Sequence, residues 1–86
     1  MITNISIFKN NFPNTLEAIQ AFIGLDKDFE RLCVDFEKIS EMINYLEKAD
    51  KTTLEIIQPK IDKYKKLQAE LKAEINKFIY EESGNK

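Results

Sequence analysis

The residues of this chain with chemistry to offer are one thiol, two carboxylate pairs and a group of amines. Cys33 is the single cysteine, Glu37/Glu41 and Glu70/Glu74 each stand four residues apart, and Lys60, Lys63, Lys65 and Lys66 crowd one short stretch. A thiol becomes a nucleophile when a neighbouring base or cation draws off its proton. The chain contains no histidine to act as that base. Cys33 follows Leu32 on an apolar stripe and reads as a small buried hydrophobe. Carboxylates at i and i+4 share a helix face. Di-iron carboxylate bundles combine such residues with Glu-x-x-His motifs, which a chain without histidine cannot form, so both pairs read as solvated surface. Gly24 and Gly84 stand alone, which leaves no Gly-rich phosphate loop. The expectation is a non-enzyme with no catalytic residue, no cofactor and no metal.

Phosphate recognition needs cations gathered on one face. Asp62, Glu70 and Glu74 interrupt the lysines, and the net charge is −2, which gives no global attraction to nucleic acid. Asp62 and Lys66 are spaced as a favourable i,i+4 pair. Lys60, Lys63, Lys65 and Lys66 therefore read first as a salt-bridged solvent face. A nucleic-acid or ribosome-associated surface is the alternative.

Two apolar ladders must position all of these residues. The first is Phe29, Leu32, Phe36, Ile39, Ile43 and Leu46; the second is Ile57, Ile61, Tyr64, Leu71, Ile75 and Phe78. Alternating steps of three and four put each ladder on one helical stripe. Gln68 falls where the second ladder expects an apolar knob, as a register-setting polar residue or a water-facing one. The spacing predicts an all-α chain: an antiparallel, coiled-coil-like helical hairpin preceded by a short helix and completed by oligomerisation.

Residues 1–12 read as an extended arm docked through Ile5, Phe8 or Phe12. Residues 13–82 read as one hairpin domain, with a short helix over 14–23 and long helices over 26–48 and 53–82. Residues 83–86 read as a frayed tail. Asn14 with Glu17 predicts a capping box, Gly24 a left-handed helix end, and Asp26 the next N-cap. Thr52–Glu55 predicts a second capping box. Pro59 predicts either a bend in a continuous last helix or its first regular turn. Residues 26–50 carry a net −4 and residues 54–79 a net +2, which favours the two helices side by side. The longest mostly apolar stretch, 18–25, is far too short for a bilayer. With one cysteine and no basic, apolar leader, the expected location is the cytoplasm, without a membrane partner.

The order of motifs from Phe12 onward resembles a small bacterial helical-hairpin family of unassigned function, typified by YdcH. The matching residues are Phe12-Pro13, Ile19, Asp26-Lys27-Asp28-Phe29-Glu30-Arg31-Leu32, Ile39 and Ile43-Asn44-Tyr45-Leu46-Glu47. Tyr64-Lys65-Lys66 and Leu71-Lys72-Ala73-Glu74-Ile75 follow. Tyr64 stands where the family has an aliphatic residue, Pro59 has no counterpart, and the last helix is less basic than the family's. The resemblance implies a hairpin fold and brings no site residues. Two helices burying one stripe each make a thin core. The expected role is thus protein–protein interaction or self-assembly, as a homo-oligomer with a dimer favoured and the two ladders as the association core.

Overall fold

The structure, a computed structural model, describes residues 4–84. Expectations for residues 1–3 and 85–86 lie outside the described residues. Those residues form four helices and no strand: α1 Ile5–Asn11, α2 Leu16–Ile23, α3 Lys27–Glu47 and α4 Lys51–Gly84. The molecule measures 51 × 22 × 21 Å. The 34 residues of α4 account for the long dimension at about 1.5 Å each.

In place of the expected arm over residues 4–12 there is a helix. A seven-residue helix is too short to persist on its own, and α1 has no side-chain cap of its own. Its partners are distant in sequence. Phe8 and Phe12 are buried, as is Ile7, while Ile5 stays exposed, so of the three expected anchors the two aromatic residues dock, with Ile7 beside them. The backbone N–H of Asn4 donates to the Glu37 carboxylate at 2.5 Å, and the Asn4 side-chain amide donates to Glu41 at 3.4 Å. Negative charge at a helix N-terminus is favourable, so α3 supplies the cap that α1 lacks.

The local signals of the other helices shift by a residue or two. The N-cap of α2 is Thr15 rather than Asn14, without a side-chain bond. Gly24 is right-handed, at φ −74° and ψ −16°. The chain keeps turning after α2, with the amides of Leu25 and Asp26 both donating to the Phe22 carbonyl. Extended geometry begins only at Asp26, so no left-handed residue is needed. Asp26 caps α3 as expected, accepting the Phe29 N–H at 3.0 Å. At α4 the capping oxygen belongs to Asp50, which accepts the Thr53 N–H at 2.8 Å. The helix therefore starts two residues before the expected Thr53. It runs unbroken through Pro59. Pro59 is exposed, so the carbonyl deprived of its helical partner at Glu55 is within reach of water.

Contacts between α3 and α4 descend in opposite order along the two helices. Phe29 stacks on Phe78, Gln68 donates to Ser40, and Lys65 pairs with Glu47. Both ladders lie in this seam, and each divides into two columns of seven-residue spacing. Phe29, Phe36, Ile43, Ile61 and Ile75 are buried. Leu32, Ile39, Leu46, Ile57, Tyr64, Leu71 and Phe78 are half-buried. Leu32, Leu71 and Phe78 pack against the core that α1 and α2 cover, to which Phe29, Phe36 and Ile75 belong from the first column. Gln68 sits within that first column and donates to the buried Ser40 hydroxyl at 2.9 Å.

All six phenylalanines serve the cover. The rings of Phe8 and Phe12 lie 5.6 and 5.3 Å from that of Phe36. Phe22 meets Phe29 and Phe78 edge-on at 6.4 and 5.6 Å. Lys72 closes the first group, its ammonium 5.8 Å from the Phe12 ring centroid, in cation–π geometry.

Phe36 touches both rings of the N-terminal segment, so Phe36→Ala should cost about 3–5 kcal/mol, read as a lower urea midpoint. The Thr53 hydrogen bonds hold the Asp50 carboxyl below its ordinary 3.8. A carboxyl lowered by folding stabilises the folded state above the ordinary value and loses that effect as pH falls through its lowered one. Titration of Asp50 by NMR should therefore show a midpoint under 3.8, and Asp50→Asn should remove this acid-dependent component of stability.

Candidate functional site

The chemically capable groups are dispersed. Cys33 is fully buried. Burial, with the Glu30 carboxylate second, pushes its thiol up to about 12. A thiol held protonated in this way is a poor nucleophile. Among the described residues no group of three or more His, Cys, Asp and Glu could hold a metal ion, and no helix is long and apolar enough to cross a membrane.

The carboxylate pairs part company. Glu70 and Glu74 are exposed as expected. Glu41 is exposed too, but Glu37 is buried, against the expectation of a solvated pair. The α1 backbone explains this: the Asn4 N–H gives the carboxylate a hydrogen-bond donor inside the fold, and a buried charge needs such partners. No sequence spacing announces it, because the donor is a main-chain group 33 residues away.

The lysines do not form one face. Lys60, Lys63, Lys65 and Lys66 are all exposed, but at 3.6 residues per turn they spread over about 220° of the α4 circumference. Lys65 turns toward α3 and pairs with Glu47 at 2.8 Å; that carboxylate raises the Lys65 ammonium above its usual range. Asp62 accepts from Gln58 at 2.9 Å instead of pairing with Lys66. Lys63 and Lys66 line a shallow concavity with Tyr64, Leu67 and Glu70.

The feature that stands out lies on the uncovered side of the seam, where the half-buried column emerges. Three open concavities follow one another there. One of about 280 Å³ lies between Ile39 on α3 and Leu67 and Leu71 on α4. The lysine-flanked one, of about 350 Å³, adjoins it through Leu67. The third, of about 400 Å³, sits at the turn between Tyr45, Leu46, Ala49 and Ile57. Leu67 is 40% exposed and Tyr45 75%. The ladders thus contribute Ile39, Leu46, Ile57, Tyr64 and Leu71 to this surface, while Leu32 and Phe78 of the same columns pack against the covered core. Sequence periodicity finds both columns; it does not tell them apart, because the cover comes from helices outside the repeat.

Native Cys33 should resist a thiol reagent such as dithionitrobenzoate at pH 8 and react fully in denaturant; prompt reaction of the folded protein would contradict the burial. Compared with known proteins, the chain matches no family model, and no curated protein or solved structure matches it at a significant level.

Proposed function

We propose that this chain is a non-catalytic association module whose binding surface is the open side of the α3–α4 seam. In this reading α3 and α4 form an antiparallel helical hairpin. α1 and α2 cover the seam at its Phe29–Phe36 end, and the concavities lined by Ile39, Leu46, Ile57 and Leu67 receive a protein. Four residues of the half-buried column carry the reading: Ile39, Leu46, Ile57 and Tyr64 are partly covered and lie outside the core against which Leu32, Leu71 and Phe78 pack. That is the pattern of knobs awaiting a facing helix. A single stripe per helix is also a thin core for a domain this small. Kinship with YdcH-like hairpins and residence in the cytoplasm belong to the same reading, and a free buried thiol at Cys33 suits a reducing compartment.

Sedimentation at tens of micromolar tests it. The expected mass exceeds that of one chain. Leu67→Glu should return it to one chain with helicity and cooperative unfolding retained, because Leu67 touches the open side only. Ile43→Asp should instead unfold the protein, since an unpaired charge in the buried column costs several kcal/mol. A single chain at every concentration, with full cooperative stability and no change on Leu67→Glu, would overturn the proposal.

A further inference from the structure

We infer that the occupant of the open side is a second copy of this chain, placed with α4 against α4 in opposite directions about a two-fold axis at Leu67. The inference rests on the association reading above and specifies its partner.

The exposed edge of α4 is self-complementary about Leu67. Seven residues before Leu67 stands Lys60, and seven after it stands Glu74. On the adjacent line, Lys63 stands four residues before Leu67 and Glu70 three after it; in the half-buried column, Tyr64 stands three before and Leu71 four after. A two-fold axis at Leu67 carries Lys60 to the level of Glu74 and brings the other two pairs within one residue, about 1.5 Å, of level. Lys60 then meets Glu74 of the other copy, Lys63 meets Glu70, Tyr64 packs on Leu71, and Leu67 meets itself. Such self-complementarity is what an isologous interface requires of its surface. An unrelated partner would have no use for it.

The residues are free to act in this way. All four charged groups are exposed, and among the described residues none of them makes an ion pair within its own chain. Seven-residue spacing keeps each line facing a supercoiled neighbour. The concavity lined by Lys63, Tyr64, Leu67 and Glu70 provides the hole for the second Leu67. On α3 the same axis sets Ile39 against Ile39 and Leu32 against Leu46, so the apolar columns meet as well. The alternative dimer, α3 laid on α4, does not use the pairing of Lys60 with Glu74.

Position-specific cross-linking tests the axis. Cys33 is buried, so a cysteine placed on the surface reports alone. Leu67→Cys should oxidise to a disulfide-linked dimer of the folded chain, because the two copies of the position lie within bonding reach. Glu55→Cys, exposed and twelve residues from the axis along α4, should cross-link far less, because the two copies of that position lie about 36 Å apart along the helix. In parallel, Lys60→Glu with Lys63→Glu should weaken the dimer about tenfold or more. Adding Glu70→Lys and Glu74→Lys should restore it by reversing every pair at once. A wild-type dimer that neither cross-links at position 67 nor responds to the charge swap overturns this geometry and leaves the association reading standing. A wild-type chain that sediments singly overturns both.

Discussion

Two helices laid side by side leave a groove on each side of their line of contact, and the seven residues of α1 and eight of α2 cover only part of the seam. That constraint organises the molecule. The filling is aromatic: Phe8 and Phe12 of the N-terminal segment close on Phe36, while Phe22 closes on Phe29 and Phe78. Aromatic pairs of this kind contribute roughly 0.5–1.5 kcal/mol each beyond the area they bury. Gathering them at the Phe29–Phe36 end of the seam gives a deep core there and leaves shallow apolar concavities elsewhere along it.

Polar groups inside the seam fix how the parts align. Ser40 and Gln68 answer each other across α3 and α4. A slide of α4 by one turn would strand a buried hydroxyl and face an amide with apolar side chains, at a cost of about 1–3 kcal/mol per unsatisfied group. Glu37 plays the equivalent part for α1, receiving the Asn4 N–H. Neither contact adds much net stability. Each makes the wrong alignment worse than the right one, which the many interchangeable aliphatic contacts along the seam do not.

The long helices were legible in the sequence because heptad spacing is local information, and Asp26 was legible as a cap because its bond reaches three residues. Asp50 was hidden by the competing Thr52–Glu55 signal. Its carboxylate takes the Thr53 N–H and moves the start of α4 forward. The expected left-handed Gly24 failed because the turn between α2 and α3 closes in right-handed geometry. Helix α1 was illegible for a stronger reason: its Asn-rich sequence has no helical preference to display, and its partners lie on α3. The same holds for the burial of Glu37. As for the candidate surface, periodicity gave its residues but not its boundary, since Leu32 and Ile39 share one heptad line yet only Leu32 packs against the covered core.

The dependence of α1 on α3 also has a meaning in time. Translation proceeds from the N-terminus, so Phe8 and Phe12 leave the ribosome before Phe36 and Glu37 exist. A segment of seven residues without its own cap cannot hold a helix while it waits. This segment, made before α3, therefore acquires its structure only once α3 is present. Until α3 emerges, a nascent chain presents two unburied aromatic rings to whatever waits at the tunnel exit.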